Sequence, residues 1–331
     1  MSRRMQFLHF INKIRLVITL FFLIFYSPGS LPLVNNQKTE LIMEKKLSLL
    51  LVLLAVFSYA HAQQLPSRWD ELVASNWPAA LKLSDSTCIL PIGVLEKHGP
   101  HAPMGTDLIR VREYAARTAQ KEYAVVFPDY FYGQINEARH QPGAFALPER
   151  VVWDLLEATC DEIARNGFKK ILIVNGHGGN PELLHYFMQT RLEKRRNYAV
   201  FLYEPRTDDP VFDKNVAKLS KADLTKGDHA GELETSEVLY LRPGLVKQDS
   251  AKNESGAKQS RLNLPNIYTP IWWYAGYPNH YDGDGSKASV ALGKLEVDHV
   301  VDGIAEALRI IKNDQQTLKL QKEFFDRVNG Q

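Results

Sequence analysis

Three segments far apart in this chain pool imidazoles and carboxylates beside glycines. They are Glu96-Lys97-His98-Gly99-Pro100-His101 with Asp107 behind it, Asn175-Gly176-His177-Gly178-Gly179-Asn180, and His229-Ala230-Gly231-Glu232-Leu233-Glu234-Thr235-Ser236. Imidazole and carboxylate are ligands for Zn, Mn or Fe, so the three segments are the raw material of a metal centre that could activate water. Glu96 and His98 stand two residues apart just after the apolar run Cys88 to Pro91. In an extended chain both side chains leave on one side and can grip the same metal centre. Asp107 opens a helical pattern after Gly105-Thr106, where the helix dipole favours a carboxylate that could give one oxygen to each of two metals.

His177 lies in a glycine-rich turn directly after the apolar run Lys170 to Val174, and the glycines permit the close approaches needed to set it deep in a site. Asn180 is expected to cap the helix that follows. In the third segment His229 is expected at a helix start, with Glu232 three residues on and Glu234 five residues on. Helical spacing favours Glu232 as the partner of His229 and leaves open which glutamate binds metal. A single histidine at a strand end is usually packing, and a single aspartate there usually caps a helix; the combination of all these groups favours a metal site.

The elements that must position these groups follow from two alternating patterns. Short apolar runs (Cys88 to Pro91, Ala124 to Phe127, Lys170 to Val174, Ala199 to Tyr203) are separated by segments with helical periodicity. Helices are expected at Thr106 to Lys121, Glu149 to Asn166, Asn180 to Lys194, His229 to Leu241 and Lys287 to Lys312, with a further C-terminal helix in Gln315 to Val328. Such alternation implies βαβ units, hence an α/β fold with a largely parallel sheet, and puts the three chemical segments where strands give way to turns or helices. Pro205 to Asp228 and Val246 to Asp284 read as long surface loops.

Two apolar runs near the N-terminus, Leu16 to Tyr26 and Leu47 to Phe57, are too short for a comfortable membrane span. The second has the form of a secretory signal: Met43, Lys45 and Lys46 form a basic start and Ala60-His61-Ala62 a cleavage site. Residues 1–62 are therefore expected to be a leader, with the signal at about 43–62, and residues 63–331 a single domain. Met43 is the expected start, and the exported product is periplasmic or extracellular. Without residues 1–62, which hold seven Lys/Arg and two Asp/Glu, the formal charge falls from +2 to 2 − 5 = −3, leaving no nucleic-acid footprint. Cys88 and Cys160 fit no zinc spacing and are expected to be buried free thiols, although an oxidising compartment would permit a bridge.

The three motifs, read together with Leu90-Pro91-Ile92-Gly93 ahead of the first, resemble those of the creatininase (creatinine amidohydrolase) family. The resemblance spans most of residues 86–310. It implies a three-layer α/β sandwich with a mostly parallel central sheet, commonly assembled as a homo-hexamer, and an amidohydrolase site holding two divalent metals (Zn, Mn or Fe). By motif position it implies metal ligation by Glu96, His98, Asp107, His177 and Glu234, with Asp107 bridging, and His229 as the catalytic histidine. Creatinine hydrolases carry a metal-binding glutamate two residues after the second motif's histidine, where this chain has Gly179. The glycine form is similar to branches that cleave formamides on opened purine or pyrimidine-like rings or act in peptide-cofactor maturation. Lys97 replaces a glutamine and is expected to point away from the ligands. Trp272, Trp273 and Tyr274 fall where the family contributes a loop near the site and are expected to contact substrate, flat aromatics being suited to a planar ring. Arg139-His140-Gln141-Pro142-Gly143 is similar to a family turn near the pocket, without an assigned role for His140.

The expected reaction is hydrolysis of a small cyclic amide or formamide C–N bond, with metal lowering the pKa of water and His229 donating a proton to the leaving nitrogen. The alternatives are metallopeptidase-like cleavage of a peptide or cell-wall amide, and an inactive exported metal- or ligand-binding protein.

Overall fold

Four apolar runs form four parallel strands in the computed structural model, which describes residues 65–205, 208–222 and 228–330. The leader and its cleavage site lie outside the described residues. The strands are β1 (Thr87–Ile92), β2 (Val125–Val126), β3 (Lys170–Asn175) and β4 (Ala199–Leu202), in the order β2-β1-β3-β4. Cys88 stands opposite Val125 and Ile171, and Leu172 opposite Phe201, so apolar residues pair across the middle of the sheet. All six residues of β1 are buried, as expected of a strand covered on both faces. Pro91 is tolerated in this central strand because β2 has already ended: its pairing with β1 stops at Ile89 and Val126.

Alternate strand residues feed two separate cores. Leu90, Ile92, Ile171 and Ile173 pack on one face against α1 (Trp77–Leu83), α3 (Glu149–Arg165) and α4 (Pro181–Thr190), through Ala80, Leu156, Cys160, Ile163, Leu184 and Phe187. Ile89, Val126, Leu172 and Val174 pack on the other against α2 (Thr106–Lys121) and α8 (Val290–Asn313), through Val111, Ala115, Val297, Val301 and Leu308. The result is the three-layer α/β sandwich expected. Truncating Leu172 or Ile173, both fully buried, to alanine would cost about 2–5 kcal/mol, each from a different layer.

The remaining helices are α5 (Pro210–Leu219), α6 (Glu232–Leu241), α7 (Trp272–Gly276) and α9 (Thr317–Val328). Helix α5 lies within a stretch read as loop. Its apolar stripe is sparse, but Pro210 sits in the first turn and the Asp209 side chain accepts from the Phe212 N–H, a local start signal sufficient to nucleate it. Helix α6 begins at Glu232 rather than His229, because Ala230 has φ +60° and breaks the helical path ahead of it. Cys88 and Cys160 are buried free thiols. Among the described residues no helix is long and apolar enough to cross a membrane.

In this strand order the chain leaves β1 for β2 on one side and returns to β3 on the other, so the crevice at the carboxyl ends of β1 and β3 is the topological switch point. The first two chemical segments emerge there. A Cβ at Gly93 would lie 2.6 Å from the Leu108 backbone and one at Gly176 2.8 Å from the Asp107 carbonyl oxygen. Both strand exits need glycine so that the start of α2 can press Asp107 between them.

Candidate metal centre

Asp107 is 1 % exposed in the first turn of α2, and its two oxygens face different histidines. Its Oδ2 is 2.9 Å from His177 Nδ1, which is also 2.8 Å from Glu96 Oε1. Its Oδ1 is 3.2 Å from His98 Nε2, which is 3.5 Å from Glu234 Oε2. Two potential three-ligand groups therefore share Asp107: Glu96, Asp107 and His177, and His98, Asp107 and Glu234.

The residues fit a divalent metal on their own evidence. Glu96 Oε1, His98 Nε2 and Asp107 Oδ2 are buried without a hydrogen-bond partner. Buried polar atoms are almost always satisfied, and three orphans converging from the loop after β1 and the start of α2 are what ligand atoms look like. Both outer nitrogens are oriented by backbone, as metal-bound histidines usually are: His177 Nε2–H donates to the Gln134 carbonyl at 2.9 Å, and His98 Nδ1 lies 3.3 Å from the Glu96 carbonyl.

The charge balance points the same way. Burial opposes the charged form of His98, but Asp107, Glu234 and Glu96 outweigh it and lift its pKa to about 9. His177 is raised likewise, its burial overcome by Glu96 and Asp107. Burial works against the Asp107 carboxylate, but the two histidines hold its pKa well below the usual range. The buried carboxylates Glu96, Asp107 and Glu234 thus favour a positive charge among them.

Glu234 is aimed by its surroundings. The Ala230 N–H donates to its Oε2 at 2.8 Å, a side chain reaching back across the helix start much as in a capping box, and Arg110 Nη1 donates to Oε1 at 2.7 Å. Glu232 instead accepts from the Lys221 and Ala222 N–H groups and the Ser220 hydroxyl. Of the two glutamates it is thus Glu234 that faces His98 and Asp107, for a reason outside the helix: Glu232 ties down a neighbouring loop.

His229 precedes α6 and is held by a two-bond backbone bridge to Asp282. Its Nε2–H donates to the Lys97 carbonyl at 2.9 Å, leaving Nδ1 as the free lone pair, and its ring lies 4.4 Å from that of His98. Burial lowers its pKa, so it is neutral near pH 7. Lys97 itself points away and pairs with Glu254 at 2.6 Å, as expected. His101 spans to Thr235, whose hydroxyl donates to the Ala230 carbonyl and so accepts from His101 Nε2–H, tying the first motif to the third.

Asn180 does not cap α4. Its Oδ1 accepts from the Gln134 N–H and its Nδ2 donates to Asn175, so the fully buried amide pins the turn before His177's partner carbonyl rather than the helix. Trp272 and Tyr274 on α7 are exposed, whereas Trp273 turns inward and donates from its indole to His280 at 2.8 Å. His140 donates to the Pro278 carbonyl at 3.0 Å and meets the Tyr274 ring at 4.8 Å, so its turn braces the aromatic segment.

Three groups escaped the sequence reading. His280 donates to Glu96 Oε2 at 2.5 Å. Arg110 joins Glu234 to Glu237, and only its position three after Asp107 on one helix face hinted at this. Glu137 lies beside His177, and a Cβ at position 179 would come within 2.7 Å of its Oε1 and 2.5 Å of His177 Nε2, so a side chain there would have to displace one or both.

Residues 74–308 match the family model described as Creatininase: Creatinine amidohydrolase. The creatinine amidohydrolase of Pseudomonas putida is 25% identical over 258 residues, spanning 72% of this chain and 95% of its own length. The mycofactocin precursor peptide peptidase of Mycolicibacterium smegmatis is 31% identical over 241 residues, spanning 70% of this chain and 87% of its own. A solved mutant creatininase of Zn-Zn type matches with a TM-score of 0.64 at 23% identity, covering 76% of this chain and 100% of that one. At that identity the structural likeness speaks for the fold.

Proposed function

The chain belongs to the creatininase family, and on that premise we propose that it hydrolyses a small cyclic amide or formamide at a centre of two divalent metals, each Zn or Mn. The observation that carries this reading is the division of Asp107 between two ligand groups that include three buried atoms without a hydrogen-bond partner, Glu96 Oε1, His98 Nε2 and Asp107 Oδ2. Glu96, Asp107 and His177 would hold one ion, and His98, Asp107 and Glu234 the other. When bound, such ions lower the pKa of water and polarise a carbonyl.

His229 supplies the proton chemistry. Its neutral ring, fixed by the Lys97 carbonyl, presents Nδ1 as a base that takes a proton from attacking water and returns it to the leaving nitrogen. An amide nitrogen leaves poorly as an anion, so this return is the step that the imidazole serves. Trp272 and Tyr274 offer flat, exposed faces for a planar substrate. The leader makes this an exported enzyme, cleaved near Ala62; an N-terminal peptide from residues 30–42 in the secreted protein would contradict that. The assembly is a homo-hexamer, which sedimentation would check.

The test is a panel of cyclic amides, formamides and short peptides with metal-loaded protein, following the appearance of new carboxylate and amine. Turnover of the small amides supports the proposal. The likeness to a peptide peptidase favours a second reading, and cleavage of peptides alone would establish it instead.

A further inference from the structure

His280 is 1 % exposed and has a backbone φ of +52°, a conformation that a non-glycine residue holds only when its surroundings insist. What insists is a pair of hydrogen bonds. The Trp273 indole N–H lies 2.8 Å from His280 Nδ1, and an indole can only donate. Nδ1 is therefore the acceptor, the ring proton sits on Nε2, and Nε2–H donates to Glu96 Oε2 at 2.5 Å. That bond occupies one oxygen of Glu96 and leaves the other, Oε1, without a partner and 2.8 Å from His177 Nδ1.

We propose that His280 is a positioning residue for Glu96: the chain Trp273 to His280 to Glu96 fixes which carboxylate oxygen faces the metal centre and links that choice to the aromatic helix α7. The inference rests on the two-metal reading above. Trp272 and Tyr274, on either side of Trp273, are the exposed aromatics of the same helix. A displacement of α7 would therefore be felt at Glu96 through a single shared ring. Trp273 acts through His280, a role beyond the substrate contact expected of it.

The test is a stepwise Zn²⁺ titration of the purified protein against a chromophoric chelator, comparing wild type with His280→Ala, His280→Gln and Trp273→Phe. Partners one shell out from a metal are worth about 10- to 100-fold in affinity. His280→Ala should weaken one of the two Zn²⁺ dissociation constants by that factor and spare the other. His280→Gln carries the same backbone strain as alanine but can place an amide N–H near the Nε2 position, so it should recover most of the affinity. Trp273→Phe should fall between them. Wild-type affinities in His280→Ala, or equal losses in the alanine and glutamine variants, would overturn the inference alone. A wild type that takes up no Zn²⁺ would overturn the metal centre and this inference with it.

Discussion

Arg110 is the cation on which the carboxylate side of the site depends, and its removal can be worked through from the structure. Its side chain is 15% exposed, with Nη1 2.7 Å from Glu234 Oε1 and 3.8 Å from Asp107 Oδ1 and with Nε on Glu237. At an effective dielectric near 20 the first contact alone is worth about 6 kcal/mol of gross Coulomb energy, most of it offset by desolvation. Breaking such a pair strands the buried carboxylates, which costs about 3–5 kcal/mol. For a domain of this size that lowers Tm by roughly 6–20 °C. Arg110→Ala should show this loss in thermal unfolding of metal-free protein, and Arg110→Lys, keeping charge but losing the two-pronged contact, should lie between. Saturating Zn²⁺ should recover part of the loss, because a bound cation gives Glu234 a second partner. An Arg110→Ala protein melting within about 2 °C of wild type without metal would refute the reasoning.

Three further outcomes follow from the same geometry. His229→Ala should lower kcat by about 10²- to 10⁴-fold while metal content stays at the wild-type value; loss of metal would make His229 a ligand. Zn²⁺ affinity should rise with pH up to about 9, because His98 in the metal-free site holds its proton to that pH and must lose it to bind; a pH-independent affinity between 6.5 and 9 would contradict this. Gly179→Ala should reduce metal uptake, since its Cβ would press on His177 Nε2 and Glu137, and an unchanged stoichiometry and affinity would show that the turn can yield.

Much of this arrangement was legible in the sequence because it is local. The strand that leads to Glu96 and His98 is a continuous apolar run, helix α2 spans Thr106–Lys121 as its periodicity predicts, and His177 follows its strand by two residues. What stayed hidden depends on contacts between distant segments. His280 meets Glu96 across 184 residues, and Arg110 meets Glu234 across 124. Glu232 and Glu234 have near-identical local settings and are separated only by what packs against them, a loop for one and Arg110 with His98 for the other. Asn180 has the sequence position of a cap, but the buried Gln134 N–H outcompetes the helix end for its oxygen.

The most direct test of the account is the metal content of the purified protein, compared between wild type and Asp107→Ala. The sharing of Asp107 predicts close to two ions per chain in wild type and a sharp fall in the variant, since both groups lose their common ligand. Little metal in wild type after reloading with Zn²⁺ and Mn²⁺, or an Asp107→Ala protein that keeps both ions, would contradict it.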